Sequence, residues 1–424
     1  MRRFPDLISS ATLVLALLLS IGAQAQPVAP ASPAEISADV VVVGGGPAGL
    51  AAAIEARLHG AKQVVVLEKR GPERSRMQVL NLRRGTLNNL ARLGVSLKDG
   101  ENMTILKREE VASDLTGKHS NIPLKAPVID GARAGYGVSD LAHGTGAALM
   151  PIRSLENELT LAAQRMGGID VQFQAEVADV IHQPNGVVAV VKDPAGIERR
   201  VRGEFMVVSD GAHSAVSEKL GVQKLNVSDK TDRIVLGVFD QNGGARLKYH
   251  EIPGQSMESS GIIGLGATHA GVLAQIPPEL SFATPDARKS WYLGQAEKVG
   301  YSGALLLEPT EINISLNRAD RLAIDNRVFI IGDAARTTHV FTGTGVNFAL
   351  RDSARFGALY DKLKKAHTET EREKAVSWFV RKTEQSTDLN HRLAMVEFPV
   401  AKSATKAAPK PTTLRPAVRA ALMH

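Results

Sequence analysis

The chain has 424 residues, no cysteine and a formal net charge of +7. With 44% apolar and 22% charged residues it has the composition of a folded globular protein, which excludes wholesale disorder, a collagen-like chain and a polytopic membrane protein. The absence of cysteine excludes disulfides, thiolate zinc sites, iron–sulfur clusters and a thiol nucleophile. The charge sits at the ends: residues 1–25 carry a net +1 and residues 398–424 a net +5, which leaves +1 for everything between. A nearly neutral body with 4% aromatic residues offers no basic, base-stacking surface, so no nucleic-acid partner is expected.

Residues 1–25 have the pattern of a signal peptide. Arg2 and Arg3 form a positive start, residues 11–22 are apolar but too short to span a bilayer, and Ala23-Gln24-Ala25 is a small-x-small cleavage site. The expectation is an exported, periplasmic protein. Arg2-Arg3, followed at once by Phe4 and Pro5, is a weak twin-arginine match and leaves the export route open. Pro27, Pro30 and Pro33 stiffen a linker over residues 26–37. The tail, 398–424, is rich in Ala, Lys, Pro and Thr and is expected to be disordered, with weak contact to an anionic surface as the sharper alternative.

The body opens with a strand over 39–43, a Gly-rich turn, an Ala-rich helix to about His59 and a second strand over 63–67 that ends at Glu68, which is one βαβ start. A helix pattern covers 85–93, residues 100–150 are expected to be irregular, and 155–166 has amphipathic helix periodicity. Short alternating runs follow at 171–174, 177–182, 187–192, 197–201 and 205–209, split by turn signals such as Pro184-Asn185-Gly186. Strand-like runs at 234–239, 271–275 and 311–316 fit a separate β region. A buried-strand run at 327–331 then leads to Gly-rich turns and helices over 346–363 and 371–379. The fold class is therefore α/β: a Rossmann-like domain with a parallel sheet and a β-meander, plus an inserted, mostly β substrate domain. The expected boundaries are 38–105, 150–216 and 318–397 for the nucleotide domain, 106–149 for an irregular excursion and 217–317 for the substrate domain.

The chemistry is carried first by Gly44-Gly45-Gly46-Pro47-Ala48-Gly49. Gly44, Gly46 and Gly49 have the G-x-G-x-x-G spacing between a strand and a helix. Gly44 allows the tight turn, Gly46 lets a pyrophosphate approach the backbone, and Gly49 lets helix and strand pack closely. Glu68, 24 residues after Gly44, stands where a carboxylate accepts from ribose hydroxyls. This pattern predicts dinucleotide binding without separating NAD from FAD.

Two further motifs separate them through a resemblance. Ser209-Asp210-Gly211-Ala212-His213-Ser214 resembles the Asp-Gly motif of FAD-dependent flavoprotein monooxygenases, and Gly332-Asp333-Ala334-Ala335 resembles their Gly-Asp motif. Gly343-Thr344-Gly345-Val346-Asn347, then Asp352, resembles the turn and helix that follow it. Order and spacing match over most of residues 38–355. The stretch from Glu68-Lys69-Arg70 to Arg76, with Leu80-Asn81-Leu82 and Leu93-Gly94, is also similar to the monooxygenase domain of the actin-oxidising MICAL proteins.

The resemblance implies FAD as cofactor and roles at the matching positions. Asp333 would bond the ribityl hydroxyls, Arg76 would lie near the cofactor, and Arg153 would help hold its ribose and diphosphate side. Asp210 would sit near the pyrophosphate and the face where the reductant docks. Gly343, Gly345, Val346 and Asn347 would bring backbone N–H groups and a helix N-terminus to the flavin pyrimidine, where the reduced flavin is negative. Lys69 and Val177 are also taken as cofactor-contacting. The family has Pro between its Gly-Asp motif and Gly-rich turn, whereas this chain has His339 and Val340. His339 is the candidate catalytic residue, orienting substrate or exchanging a proton at the flavin edge, with a solvent-facing loop residue as the alternative.

The implied reaction is single-component hydroxylation. NAD(P)H reduces the flavin, O2 adds to give a C4a-hydroperoxide, and one oxygen passes to a small organic substrate. An exported protein meets no expected NAD(P)H pool. The alternatives are therefore an FAD-dependent dehydrogenase or oxidase passing electrons from substrate to O2 or a quinone, and an FAD-holding protein without turnover. The 11 histidines have no metal-ligand spacing, so no metal is expected. Ser214 lacks a hydrolase setting, and the Gly-rich run at 261–266 reads as a β turn.

Overall fold

The computed structural model describes residues 35–397 apart from 74, 75, 77, 115, 134–146, 254, 265 and 266. The expected signal peptide, the linker up to residue 34 and the basic tail lie outside the described residues. Glu35–Ser37, assigned above to the linker, already pair with Arg200–Arg202 as the start of the first strand.

A parallel sheet runs in the order Ile169–Phe173, Val64–Glu68, Glu35–Val43, Glu198–Val208, Val328–Ile330, and antiparallel Ala323–Ile324 closes one edge. Its central strands are continuous apolar runs because both faces are covered. Val40, Val42, Val64, Val66, Phe205 and Val207 face the helices Pro47–Leu58, Ile152–Met166 and Gly345–Lys365. Their alternate neighbours Val41, Val43, Val65, Leu67, Met206 and Val208 pack with Val187, Ala189 and Val191 of the meander. The two apolar sets alternate with the period of two that a strand imposes.

The runs at 197–201 and 205–209, expected as separate strands, form one strand of 11 residues, Glu198–Val208. The polar break at Arg202–Glu204 marks a change of neighbour. Glu198–Gly203 pair with the meander strand Gly186–Lys192, and Met206–Val208 pair with Val328–Ile330.

The second sheet has seven strands in the order Leu305–Ala319, Lys224–Phe239, Ala267–Ile276, Gln255–Gly264, Arg246–Ile252, Arg108–Ser113, Lys118–Pro123. Helix Pro285–Lys298, missed above, packs Tyr292 against it, with Tyr292 Oη donating to Val272 O at 2.8 Å. The last two strands of the sheet lie inside the stretch expected to be irregular. Their sequence is polar: within Arg108–Ser113, which pairs with a strand on either side, Glu110 lies 2.7 Å from Arg108 Nε and 3.5 Å from Arg246 Nη1 of the neighbouring strand. An ionic strand has no apolar alternation to read. Residues 261–264, expected in a turn, continue the strand Gln255–Gly264. A small third sheet joins Val79–Arg83, Ala147–Pro151 and Thr104–Ile105.

The last helix, Glu369–Glu397, has 29 residues and runs well past the expected end at Phe379. Beyond Phe379 its buried face is mixed: Thr383, Ser386, Thr387, Asn390 and His391 are all under 5% exposed, beside buried Leu389, Leu393 and Ala394. The apolar period is therefore interrupted while the helix goes on.

Candidate cofactor-binding site

The turn at 44–49 is built for close approach. Gly44 has φ +97°, a left-handed conformation that disfavours any side chain. A Cβ on Gly49 would lie 1.9 Å from Gly44 O and 2.6 Å from Ser209 Oγ, so first helix, first strand and Asp-Gly motif meet there. Gly46 differs. A Cβ on it would meet only Arg76 Nη2 and Glu156 Oε1, both at 3.9 Å. Gly46 is the N-cap of Pro47–Leu58, with no side-chain cap and Pro47 in the first turn. The first N–H groups of that helix are left for an outside acceptor, at an end that carries partial positive charge.

Glu68 ends the second strand at 2% exposure. Its Oε2 accepts from Gly45 N at 2.9 Å and Arg70 Nη2 at 3.0 Å, and its Oε1 accepts from Arg70 N and Nε at 2.9 Å. Burial works to raise its pKa, but the Arg70 bonds and charge and the Gly45 bond outweigh burial and hold the carboxyl below its ordinary value. Glu68 is thus held as a carboxylate, with two donors on each of its oxygens.

Arg76 pairs with Glu156, whose carboxylate is fully buried. Arg70 Nη2 lies 3.7 Å from the same Glu156 Oε1. Arg153 stands one turn earlier on that helix, half-buried. Glu156 was not among the expected site residues. The available signal was an acid on the otherwise apolar face of Ile152, Leu155 and Leu159.

Asp333 is exposed by area yet surrounded by protein, the condition of a side chain on a cavity wall. That enclosure pushes its pKa up, while the charges of Arg336 and Arg76 pull it down. The exposed area is the better guide to its solvation, because water that reaches the carboxyl moderates the push. Gly332 N and Arg336 Nη1 both donate to the buried Asp352 Oδ2, at 3.4 and 2.7 Å, and fix the Gly-Asp motif to helix Gly345–Lys365.

Asp210 follows the long strand beside Gly44. Its Oδ2 accepts from Val216 N at 3.3 Å, its Oδ1 is buried without a partner, and burial pushes its pKa up. Lys69 is exposed and reaches Asp210 only through its charge. Val177, expected at the cofactor, is 7% exposed and packs in the core with Leu67 and Val43, so its side chain is not part of the site.

At the far end, Gly343 lies against Asn81, and helix Gly345–Lys365 begins after Thr344 without a side-chain cap. Asn347 Oδ1 accepts from Arg83 N at 3.0 Å and Thr86 Oγ1 at 2.6 Å, and its Nδ2 donates to Asn81 O and Gly343 O at 2.8 Å. That amide is committed within the protein, so Asn347 offers a ligand only its backbone. Val346 is half-buried beside it.

His339 corrects the expectation of a solvent-facing loop residue. It is 0% exposed, its Nε2 lies 3.0 Å from Asp232 Oδ2, and its Nδ1 accepts from Phe341 N at 3.3 Å. Both ring nitrogens are engaged inside the protein, which makes His339 a positioning residue. Asp232 sits on a strand that carries no recognisable motif, so sequence reasoning had no means to find it.

The site thus unites Gly46, Arg70, Arg76, Glu156 and Asp333, with Asp210 beside Gly44. Two uncapped helix N-termini, a glycine cradle, a lone buried carboxylate oxygen and an enclosed carboxylate near an arginine fit a ligand with a diphosphate and a polyhydroxyl chain, as in FAD. Among the described residues, no cluster of three or more His, Asp or Glu could hold a metal, and no helix is long and apolar enough to cross a membrane.

Comparison with known proteins agrees with this fit. Residues 37–382 match the sequence profile of the family described as FAD binding domain. The chain is 26% identical over 359 residues to 2,4-dichlorophenol 6-monooxygenase of Delftia acidovorans, covering 75% of this chain and 56% of that protein. It spans about half the length of the curated relatives it matches first. Its fold is that of p-nitrophenol 4-monooxygenase from Pseudomonas putida, with TM-score 0.72, 17% identity and coverage of 92% and 94%. A ternary complex of aklavinone-11 hydroxylase with FAD and aklavinone has the same fold, with TM-score 0.70, 19% identity and coverage of 89% and 72%.

Proposed function

Because the chain belongs to the FAD binding domain family, we propose that it is an FAD-dependent monooxygenase that hydroxylates a small organic molecule with O2, using NAD(P)H as reductant. The observation that carries this reading is the uncapped, unobstructed turn at Gly46 in line with Arg76, Glu156 and Asp333. When bound, FAD supplies the redox and oxygen-transfer chemistry. The protein's part is binding and placement. Gly46 and the first turn of Pro47–Leu58 receive the diphosphate, Glu68 accepts from ribose hydroxyls in place of a bond now made by Arg70, and Asp333 faces the ribityl chain. Arg76 and Arg153 balance the negative charge of the diphosphate, with Arg76 kept in place by Glu156. The bare N-terminus of Gly345–Lys365 stabilises negative charge on the flavin pyrimidine.

The test is a visible spectrum of the purified protein after reconstitution with FAD, followed by anaerobic mixing with NADH or NADPH. Flavin absorbance that bleaches on mixing, then product formation in air with phenolic probes such as 2,4-dichlorophenol or p-nitrophenol, supports the reading. Bleaching by an organic substrate alone moves the protein to the dehydrogenase or oxidase class. Absence of flavin absorbance overturns the site.

We further propose export to the periplasm, on the pattern of residues 1–25 alone. Amino-terminal sequencing of the cell-fractionated protein tests it, with Gln26 expected first. The likeness of residues 68–94 to the MICAL-type domain enters as a proposal about that segment only; oxidation of actin methionine by the FAD-loaded protein is its test.

A further inference from the structure

Thr344 occupies the position from which a threonine ordinarily caps the helix that follows, by accepting a hydrogen bond from an N–H in the first turn. Here the hydroxyl is turned away. Thr344 Oγ1 donates to Asn390 Oδ1 at 2.8 Å, and Thr338 Oγ1 donates to the same oxygen at 2.8 Å. A third hydroxyl, Thr342 Oγ1, lies 2.7 Å from Thr344 Oγ1. The backbone of Thr344 is helical, at φ −99° and ψ −18°, rather than in the extended conformation of a capping residue, and the helix has no side-chain cap. Asn390 is 1% exposed and belongs to the last helix, outside every motif of the nucleotide domain. Its neighbours secure it: Leu389 and Leu393 pack on Phe348, and His391 Nε2 lies 3.1 Å from Thr337 O.

We infer that Asn390 is a positioning residue that holds Thr344 off the helix, so that the first-turn N–H groups of Gly345–Lys365 stay available to the flavin. The inference rests on the FAD reading of the site. A capped N-terminus has already given one or more N–H groups to a side-chain oxygen, and it offers less to a developing negative charge. The last helix thereby tunes the cofactor without touching it.

The experiment measures the midpoint potential of bound FAD in the full-length protein. Replacing Asn390→Ala removes the acceptor that draws the Thr344 hydroxyl away from the helix, leaving Thr342 Oγ1, which itself donates to His339 O at 2.7 Å, as its neighbour, and the hydroxyl turns toward the first-turn N–H groups. Reduced flavin is then disfavoured about tenfold, a fall of about 30 mV for a two-electron couple. Adding Thr344→Val to Asn390→Ala removes the competing hydroxyl and restores the potential, which a general loosening of the helix would not do. Thr344→Val alone leaves the potential at the parent value. Asn390→Ser, too short to span both hydroxyls, repeats the Asn390→Ala shift and serves if the alanine variant does not fold. An unchanged potential in both Asn390 variants, or a double variant without recovery, overturns the inference and leaves FAD binding standing. A parent protein that takes up no FAD overturns the site reading and this inference with it.

Discussion

His339 Nε2 lies 3.0 Å from Asp232 Oδ2 and ties the loop after the Gly-Asp motif to the 16-residue strand Lys224–Phe239 of the second sheet. Phe341 N donates to the other ring nitrogen at 3.3 Å, so both nitrogens of the ring are engaged within the protein. Gln275 Nε2 donates to the same carboxylate oxygen at 2.9 Å, and Ser256 N donates to Gln275 Oε1 at 3.2 Å. A chain of polar groups therefore runs from the loop after the Gly-Asp motif into the sheet. The proline expected at position 339 would shape the loop through its ring; here a side-chain bond does so.

The pair should behave as one unit. His339→Ala takes one of two donors from Asp232 Oδ2, which keeps Gln275, and Asp232→Ala takes the oxygen that faces His339 Nε2. Each should cost about 2 kcal/mol, and the double variant little more than either, for a coupling on the order of 1–3 kcal/mol. Urea unfolding of the four proteins reads this directly, and additive losses would show that the contact carries no energy. A second readout separates positioning from proton exchange. His339→Ala should lower the rate of flavin reduction at every pH without removing an ionisation from the profile.

Two glycines of one motif should fail in different ways. Gly49→Ala forces a Cβ to within 1.9 Å of Gly44 O, a clash between backbones that no rotamer relieves. It should destabilise the fold by about 3 kcal/mol or more, with or without FAD. Gly46→Ala meets only side-chain tips at 3.9 Å and should unfold within about 0.5 kcal/mol of the parent as apoprotein. Its methyl group would enter the volume proposed for the diphosphate, so FAD affinity should fall by about tenfold or more. Apoprotein melting beside FAD titration distinguishes the two. A Gly46→Ala variant with parental FAD affinity would remove the diphosphate from that turn.

The contrast shows what a sequence can disclose. The glycine spacing, the valine runs of the parallel strands and the Gly-Asp motif are local patterns, and each lies in the structure where its spacing implies. The partners that hold them come from afar. Asp232 is 107 residues from His339, Glu156 is 80 from Arg76, and Asn390 is 46 from Thr344. Nothing local marks these residues, because an aspartate on a strand or an asparagine on a helix is ordinarily solvated. The strand Arg108–Ser113 is illegible for a related reason: backbone pairing with Arg246–Ile252 and Lys118–Pro123 holds it in the sheet, and its charged side chains leave no periodic trace. The last helix was cut short at Phe379 because its further contacts with the site are polar.

Arg76 gives a third test. Its pairing with Glu156 leaves one guanidinium between a fully buried carboxylate and the space in front of Gly46. Arg76→Ala would leave Glu156 with Arg70 3.7 Å away as its remaining charge partner among the contacts described. Stability should fall by about 2–3 kcal/mol, less than for a fully buried pair because Arg76 is partly exposed. Adding Glu156→Gln should return part of that loss by removing a buried charge that has lost its Arg76 partner, yet FAD affinity should stay low in both proteins. Recovery of FAD binding with the double substitution would show that Arg76 serves the fold and not the cofactor.

The behaviour in acid follows from His391. Burial lowers its pKa from the ordinary value near 6.5, and the charges of Arg336 and Arg318 push the same way. The Thr337 carbonyl and Asp388 oppose this without reversing it. The folded protein therefore takes up this proton at a lower pH than the unfolded chain. Above about pH 6.5 both states are neutral at this residue and it adds no pH dependence. As the pH falls through that value the unfolded chain gains a proton that the folded state refuses. Stability then declines by up to about 1.4 kcal/mol per unit until the folded pKa is reached. Replacing His391→Gln removes this one contribution and leaves the carboxylates unchanged. Urea unfolding at pH 7, 6 and 5 should give a steeper decline for the parent than for the variant. Parallel stability curves for the two proteins would exclude His391 as the source.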